Sequence, residues 1–526
     1  MRDFHLPGRS PVFAANGLCA TSHPLAASTA IKVLEQGGNA VDAAISAAVL
    51  LGFCEPQMTG IGGDCFVLLK PSGSEDIIAL NGSGRAPAGL NAQALREQGH
   101  ETIPADNVHA VTVPGAVDAF CRLSKDWGRL ELAEVLAPAI RYAEEGVPVA
   151  PRVAFDWLNN AGHLSGDARK FYLKDGMSLK AGQSFQHPQQ AEVLRRIAKE
   201  GREAFYTGEV ADDMVQSLNA LGGVHTMEDF AATACNYDDP ISTIYHGTEL
   251  VEQPPNGQGA TAILLANILS HFDIASMDPF GAQRVHIEAE ATKLAYDARY
   301  RFQADLDHMT RLDHMTAPET ASALAALIRA DQVIQNATRI SEGVHKDTVY
   351  LTVVDRDLMA VSMICSVFHS FGTGLASSKF GINFHNRGCG FTLDEGHPNE
   401  AAGGKRPMHT IIPGMLRRDG KVLAPFGVMG GQYQANGHAR FLSNMVDFGM
   451  DVQETIDAPR SFAEHMELRV ERGYSESARQ ELADMGHKVV VPPAPLGGSQ
   501  AIVIDRDNGV LVGGSDPRKD GAAIGY

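Results

Sequence analysis

Positive charge is scarce in this chain. Its 526 residues carry 44 Lys and Arg against 63 Asp and Glu, a formal net charge of −19. Such a balance repels phosphate backbones and anionic lipid headgroups, so neither a nucleic-acid nor a membrane partner is expected. Paired cysteines are missing as well. Cys19, Cys54, Cys65, Cys121, Cys235, Cys365 and Cys389 are scattered, odd in number and contain no CxxC, which excludes a disulfide framework and a structural zinc site. The opening "MRDFHLPGRSPVFAANG" has no apolar core of a secretory signal. The longest apolar run, "AVDAAISAAVLLGFC", is too short to span a bilayer and contains Asp42. These absences lead us to expect a cytoplasmic protein with reduced thiols.

The familiar catalytic signatures are absent too: no GxSxG, no GxGxxG, no Walker A loop and no HExxH. "GGKR" at 403–406 lacks the preceding glycine and following hydroxyl of a phosphate loop. The duplication "DHMTRLDHMT" offers Asp307, His308, Asp313 and His314 as metal candidates, but polar residues at such spacing arise readily in loops and helices. No metal and no cofactor are expected.

Low-complexity tracts and long repeats are lacking, and 53 glycines and 26 prolines are spread throughout. Length alone would allow three or four domains of about 150 residues, but this even spread favours one compact unit. Residues 24–36 have helical spacing, and Gly37-Gly38 stops that helix. Asn39 then caps a second apolar helix with Asp42 in its first turn. "CFVLLK" follows as a buried strand, and 282–302 reads as a long helix, with weaker helices to 339. From Thr348 onward the pattern turns to short strands: the hairpin "TVYLTVV–DRDL–AVSMICSV", then "HTIIPGML", "KVLAPFGV", "KVVVPP" and "QAIVIDRDNGVLVGG", the last with its own Asp-Asn-Gly turn. A helix-rich first part and a strand-rich second part, changing at Asp347–Thr348, predict an α+β layered sandwich.

Thr348 stands where that change occurs. A threonine hydroxyl is a poor nucleophile until a base takes its proton. If the Asp347–Thr348 bond is cut, the new α-amine supplies that base, with an ordinary pKa of ~7.7–8.0. One residue would then provide nucleophile and base, which accounts for the absence of a His/Asp partner. The simpler reading is a β-former at a strand start, and this stretch alone favours it.

Further blocks change the weighting. "GGNAVDAAISAAVLLGFCEPQMTGIGGDCFVLL", "VPGAVDAF", "EQPPNGQGATAILLANIL", "EATKLAYDARYRF", "DTVYLTVVDRDLMAVSMICSVFHSFGTGL", "GGKRPMHTIIP" and "GVMGGQ" together resemble, in order, the γ-glutamyltranspeptidase family of N-terminal-nucleophile hydrolases. The resemblance implies a four-layer αββα sandwich made as one precursor. It also implies self-cleavage before Thr348 into a large subunit, 1–347, and a small subunit, 348–526. Thr348 is the implied nucleophile, Ser366 the second hydroxyl beside it, and Gly430-Gly431 the oxyanion-binding pair. The assembly is left between one processed heterodimer and a dimer of it.

Departures from the family pattern fall where its members read a γ-glutamyl group. The usual carboxylate-binding arginine is Ser83, with Arg85 two positions later. The asparagine beyond the second hydroxyl is Phe368. The Gln/Glu that meets an α-ammonium is Arg387, after Asn386, and a nearby aspartate is Gly390. Two serines become His409 and Thr410. An arginine suits a carboxylate, so Arg387, Asn386, Phe368, His409, Thr410 and Arg85 are the candidate substrate-binding residues for a small acid amide. Within the family, the resemblance is then to an oxamate amidohydrolase-like branch, which implies oxamate, hydrolysed to oxalate and ammonia, as the best fit. Glutathione hydrolysis or γ-glutamyl transfer, and acylase activity on a larger side chain, are the alternatives. Arg387 could equally pair with a protein carboxylate.

Overall fold

The computed structural model describes residues 5, 8–334, 348–464 and 466–526. Among them, two seven-stranded sheets stack face to face between two helical layers. One sheet runs Ala522–Gly525, Leu18–Thr21, Val349–Val354, Ala360–Ser366, Asp64–Lys70, Ile78–Gly82, Asn236–Asp238. The other runs Val12–Ala14, Val510–Ser515, Gly498–Asp505, Lys421–Met429, Gly414–Arg418, Thr248–Glu252, Ile241–Tyr245. This is the α+β, four-layer αββα sandwich.

Strand residues alternate between the layers as the two-residue period requires. Val349, Leu351, Val353, Val361, Met363, Cys365, Cys65 and Val67 face outward into a cluster with the helices Pro24–Glu35 and Ala40–Cys54. Their neighbours Tyr350, Val354, Ala360, Ile364, Phe66 and Leu68 face inward, towards the second sheet. On the far side, the helices Gly259–Leu269, Ala282–Phe302 and Gln434–Val446 cover the second sheet.

Local expectations are met where the pattern is regular. Asn39 and Asp42 form a reciprocal capping box, and the long helix spans Ala282–Phe302. The hairpin pairs Val349 with Cys365 and Val354 with Ala360. One expectation needs correction. "HTIIPGML" is not strand throughout: the strand begins only at Gly414, because the N–H groups of Ile411 and Ile412 go to the His409 ring and to the side chain of Gln434 instead. The helix-rich and strand-rich parts build the sheets jointly. Each sheet interleaves strands from before residue 334 with strands from after residue 348, so both share one set of cores.

Candidate active site

The hairpin register explains why Thr348 is where it is. Val349 pairs with Cys365, so Thr348 stands across from Ser366, and its Oγ1 lies 3.3 Å from the Ser366 Oγ. Ser366 pairs in turn with Asp64 on the next strand, and Cys65 with Gly82 on the strand beyond. Thr348, Ser366, Asp64 and Ser83 therefore form a polar row across four strands, at one end and on the face between the sheets. All four are buried.

The opposite wall comes from the second sheet. Strand Lys421–Met429 leads into Gly430, at φ +118°, and Gly431, at φ +55°. Both conformations are ones that non-glycine residues adopt at a cost. A Cβ on Gly430 would also stand 2.9 Å from the Gly497 Cα. Three residues earlier, a Cβ on Gly427 would sit 2.3 Å from the Tyr350 ring, so the close approach of the two sheets here depends on its absence. Asp347 lies outside the described residues.

Phe368 and Arg387 continue the site from Ser366. The Phe368 N–H donates to Ser366 Oγ at 2.8 Å, and Phe368 holds a left-handed backbone at φ +75°, a conformation costing a side chain about 1–2 kcal/mol. Its ring lies 3.5 Å from the Arg387 guanidinium carbon, a stacked cation–π contact. Arg387 is buried. Its Nη1 donates to Thr410 Oγ1 at 3.3 Å, whereas Nε and Nη2 have no hydrogen-bond partner among the described residues. Burial lowers its pKa to about 9, against the supporting charge of Asp64. Leaving two guanidinium donors buried and unpaired is expensive.

Asp64 is the buried carboxylate whose charge supports this arginine. Its Oδ1 accepts the Gly84 N–H at 3.0 Å and the Gly115 N–H at 3.2 Å. Its Oδ2 accepts from His409 Nε2 at 3.1 Å, with His385 Nδ1 at 3.6 Å. Burial would raise this carboxyl, but His385, His409 and the Gly84 N–H outweigh it and bring it to about 2. His409 accepts the Ile411 N–H at Nδ1, which assigns its proton to Nε2. Burial and then the Arg387 charge push its pKa to about 3, so it stays neutral. His385 reaches the Thr112 carbonyl through Nε2 at 2.9 Å.

The remaining candidates are placed as follows. Asn386 uses Oδ1 for the His369 N–H and Nδ2 for the Ala105 carbonyl. Ser83 accepts from Asn256 Nδ2 at 3.1 Å. Arg85 is exposed, donates to Asp305 and the Gly404 carbonyl, and lines a separate cavity with Asn236, Asp305 and Arg406. Asp307, His308, Asp313 and His314 do not converge as ligands.

Sequence reasoning missed Asp64, His385 and Gln258. Gln258 bridges the site's two loops: its Nε2 donates to the Thr410 carbonyl at 2.5 Å and the Gly431 carbonyl at 3.0 Å, while its Oε1 accepts from buried Arg299 at 2.6 Å. A signal for Asp64 existed. A carboxylate heading the otherwise apolar strand "DCFVLLK" is buried at a cost unless it is bonded.

Comparison with known proteins gives the family. Residues 26–526 match the Gamma-glutamyltranspeptidase family. A glutathione hydrolase-like proenzyme of Bacillus subtilis is 34% identical, with 98% of this chain and 99% of that one covered. The oxamate amidohydrolase proenzyme of Klebsiella pneumoniae is 33% identical, covering 98% and 99%. The crystal structure of cephalosporin acylase from Bacillus halodurans superposes with a TM-score of 0.92 at 36% identity, covering 100% of this chain and 99% of that one. The chain therefore belongs to the gamma-glutamyltranspeptidase family of N-terminal-nucleophile amidohydrolases, enzymes made as self-processing precursors.

Proposed function

We propose that the precursor cleaves itself at Asp347–Thr348 and that the mature enzyme hydrolyses the amide of a small carboxylic acid, oxamate being the best fit. In maturation, Thr348 Oγ1 attacks the Asp347 carbonyl, the acyl group passes from nitrogen to oxygen, and water releases it. The products are residues 1–347 and 348–526, and the α-amine of Thr348 is now free. In turnover that amine takes the Thr348 hydroxyl proton as Oγ1 attacks the substrate amide carbon. The Gly430-Gly431 turn stabilises the oxyanion. The leaving nitrogen takes the proton and departs as ammonia. Water then attacks the Thr348 ester, with the amine again as base, and releases the acid.

The observation that carries the substrate reading is the Nε–Nη2 edge of Arg387. Those two donors are spaced to hold a carboxylate in a fork. Thr410 at Nη1 and the Phe368 ring orient that edge. Since Ser366, which touches Thr348, and Phe368, which stacks on Arg387, are two residues apart, a short acid amide can meet both. The resemblance in sequence to an oxamate amidohydrolase supports the same reading.

A second reading, acylase action on a larger side chain, is favoured by one feature. A cavity of about 420 Å³ borders Gly430 and is lined by Phe155, Tyr433 and Phe462 together with Arg152 and Arg469. The deciding experiment offers the purified, processed enzyme oxamate, a γ-glutamyl anilide and a cephalosporin with a glutaryl side chain. Ammonia from oxamate, with kcat/KM well above that of the other two, is expected. Preferential turnover of either of the others would overturn the assignment.

A further inference from the structure

On the far side of the second sheet, the helix Ala282–Phe302 presents His286 and Glu290 one turn apart on one face. His487, just beyond the helix Glu476–Asp484, packs against them. All three are buried, and among the described residues only this trio brings three such ligand atoms within 4.8 Å of one another. His286 Nδ1 lies 2.8 Å from His487 Nε2, and His487 Nε2 lies 3.9 Å from Glu290 Oε1.

The surroundings are those of an oriented ligand set. His286 Nε2 donates to the Arg329 carbonyl at 2.7 Å, which fixes that tautomer and leaves the Nδ1 lone pair aimed at the cluster. Glu290 Oε2 accepts the Ile334 N–H at 2.7 Å, which turns Oε1 inward. Lys293 Nζ stands 2.6 Å from Oε1. That ammonium is the competing partner, and its side chain is 12% exposed.

We infer that His286, Glu290 and His487 form a binding site for a divalent ion of the zinc class. Two imidazole nitrogens and one carboxylate oxygen suit such an ion, with an open fourth position for water. The 2.8 Å contact places a proton between the histidine nitrogens. The ion takes its place, and His487 carries its own proton on Nδ1 instead. Metal–nitrogen bonds of ~2.0–2.1 Å need the nitrogens about 3.3 Å apart, so the pair opens by roughly half an ångström.

The site also has a place in the chain. Arg329 and Ile334, bonded to two of the three ligands, belong to the last described stretch before Thr348. An ion here would clamp that stretch to the Ala282–Phe302 helix and to the small subunit's His487. This role is independent of the substrate reading, and no metal was expected from the sequence.

The test is to dialyse the protein against a chelator and titrate it with Co²⁺, following visible absorption, then with Zn²⁺, following thermal unfolding. One equivalent per chain is expected, with a ligand-field band and a raised unfolding temperature. His487→Gln and Glu290→Gln should each weaken uptake at least about ten-fold. Should Glu290→Gln misfold, His487→Gln decides alone. No uptake by the parent protein, or uptake of equal strength in His487→Gln, overturns the assignment.

Discussion

Thr348 and Ser366 face each other across one hairpin, whereas Asp64, His385, Arg387 and His409 come together from three separate places in the chain. The first pair is positioned by a ladder of backbone bonds and needs only the register of two adjacent strands. The second group exists only once the loops 383–390 and 405–412 are folded over the head of strand Asp64–Lys70. The nucleophile end is thus robust to side-chain change around it. The arginine end is a buried polar network, in which each member's state depends on the others.

The sharpest way to break this comparison is Thr348→Ala. It removes the only group on which both maturation and turnover depend in the proposed mechanism, while the hairpin needs only a small side chain there. Intact mass should show one uncleaved chain, and ammonia release should fall by at least about 10³-fold. A cleaved and active variant would place the nucleophile elsewhere.

Arg387→Gln comes next. It removes the charge and the forked edge but leaves the hairpin alone. Cleavage before Thr348 should proceed normally, while kcat/KM for a short acid amide drops by about 2–4 kcal/mol, chiefly through KM. Unchanged kinetics would remove Arg387 from substrate binding and leave its charge serving Asp64 alone.

Gln258→Leu probes the seam between the two ends. It leaves the Arg299 guanidinium and the Thr410 and Gly431 carbonyls without a buried partner. Stability should fall by about 1–3 kcal/mol, and kcat should fall with it, because the Gly430-Gly431 turn and the Thr410 loop lose their common tie. A loss of stability with kcat intact would make Gln258 a purely structural residue.

What could be read in advance follows the same division. The capping box at Asn39, the Ala282–Phe302 helix and the Val349–Ser366 hairpin are set by periodicities of two and 3.6 and by local turn chemistry. Thr348 and Ser366 could be singled out only through the resembling block, since the hairpin stretch alone favours a plain β-former; the register then brings their hydroxyls within 3.3 Å. Arg387 was legible as a changed charge within a resembling block, but not its stack on Phe368. Asp64 lies within one of the resembling blocks, but its role is not visible there, since its partners Gly84, Gly115, His385 and His409 are distant in sequence. The His286–Glu290–His487 cluster was hidden likewise: two members share a helix face, but the third comes from nearly two hundred positions later.

Asp64→Asn gives the smallest expected effect and the most specific. In the parent enzyme, kcat/KM for an acid amide should rise as the Thr348 α-amine loses its proton, ordinarily near ~7.7–8.0. It should then fall as pH passes about 9, where Arg387 loses the charge that holds the carboxylate. Asp64 supports that charge, so the neutral Asn variant lowers the arginine's pKa further. The alkaline limb should therefore move to lower pH while the acid limb stays in place. Stability supplies a check of opposite sense. A carboxyl depressed to about 2 in the folded protein stabilises it above its unfolded pKa of ~3.9 and loses that contribution as pH falls towards 2. The parent should lose stability across that window, and Asp64→Asn should lose less there, starting from a lower value at neutral pH. An alkaline limb unmoved in the variant would mean that Asp64 organises only its two histidines and two backbone amides, and that Arg387 keeps its charge by other means.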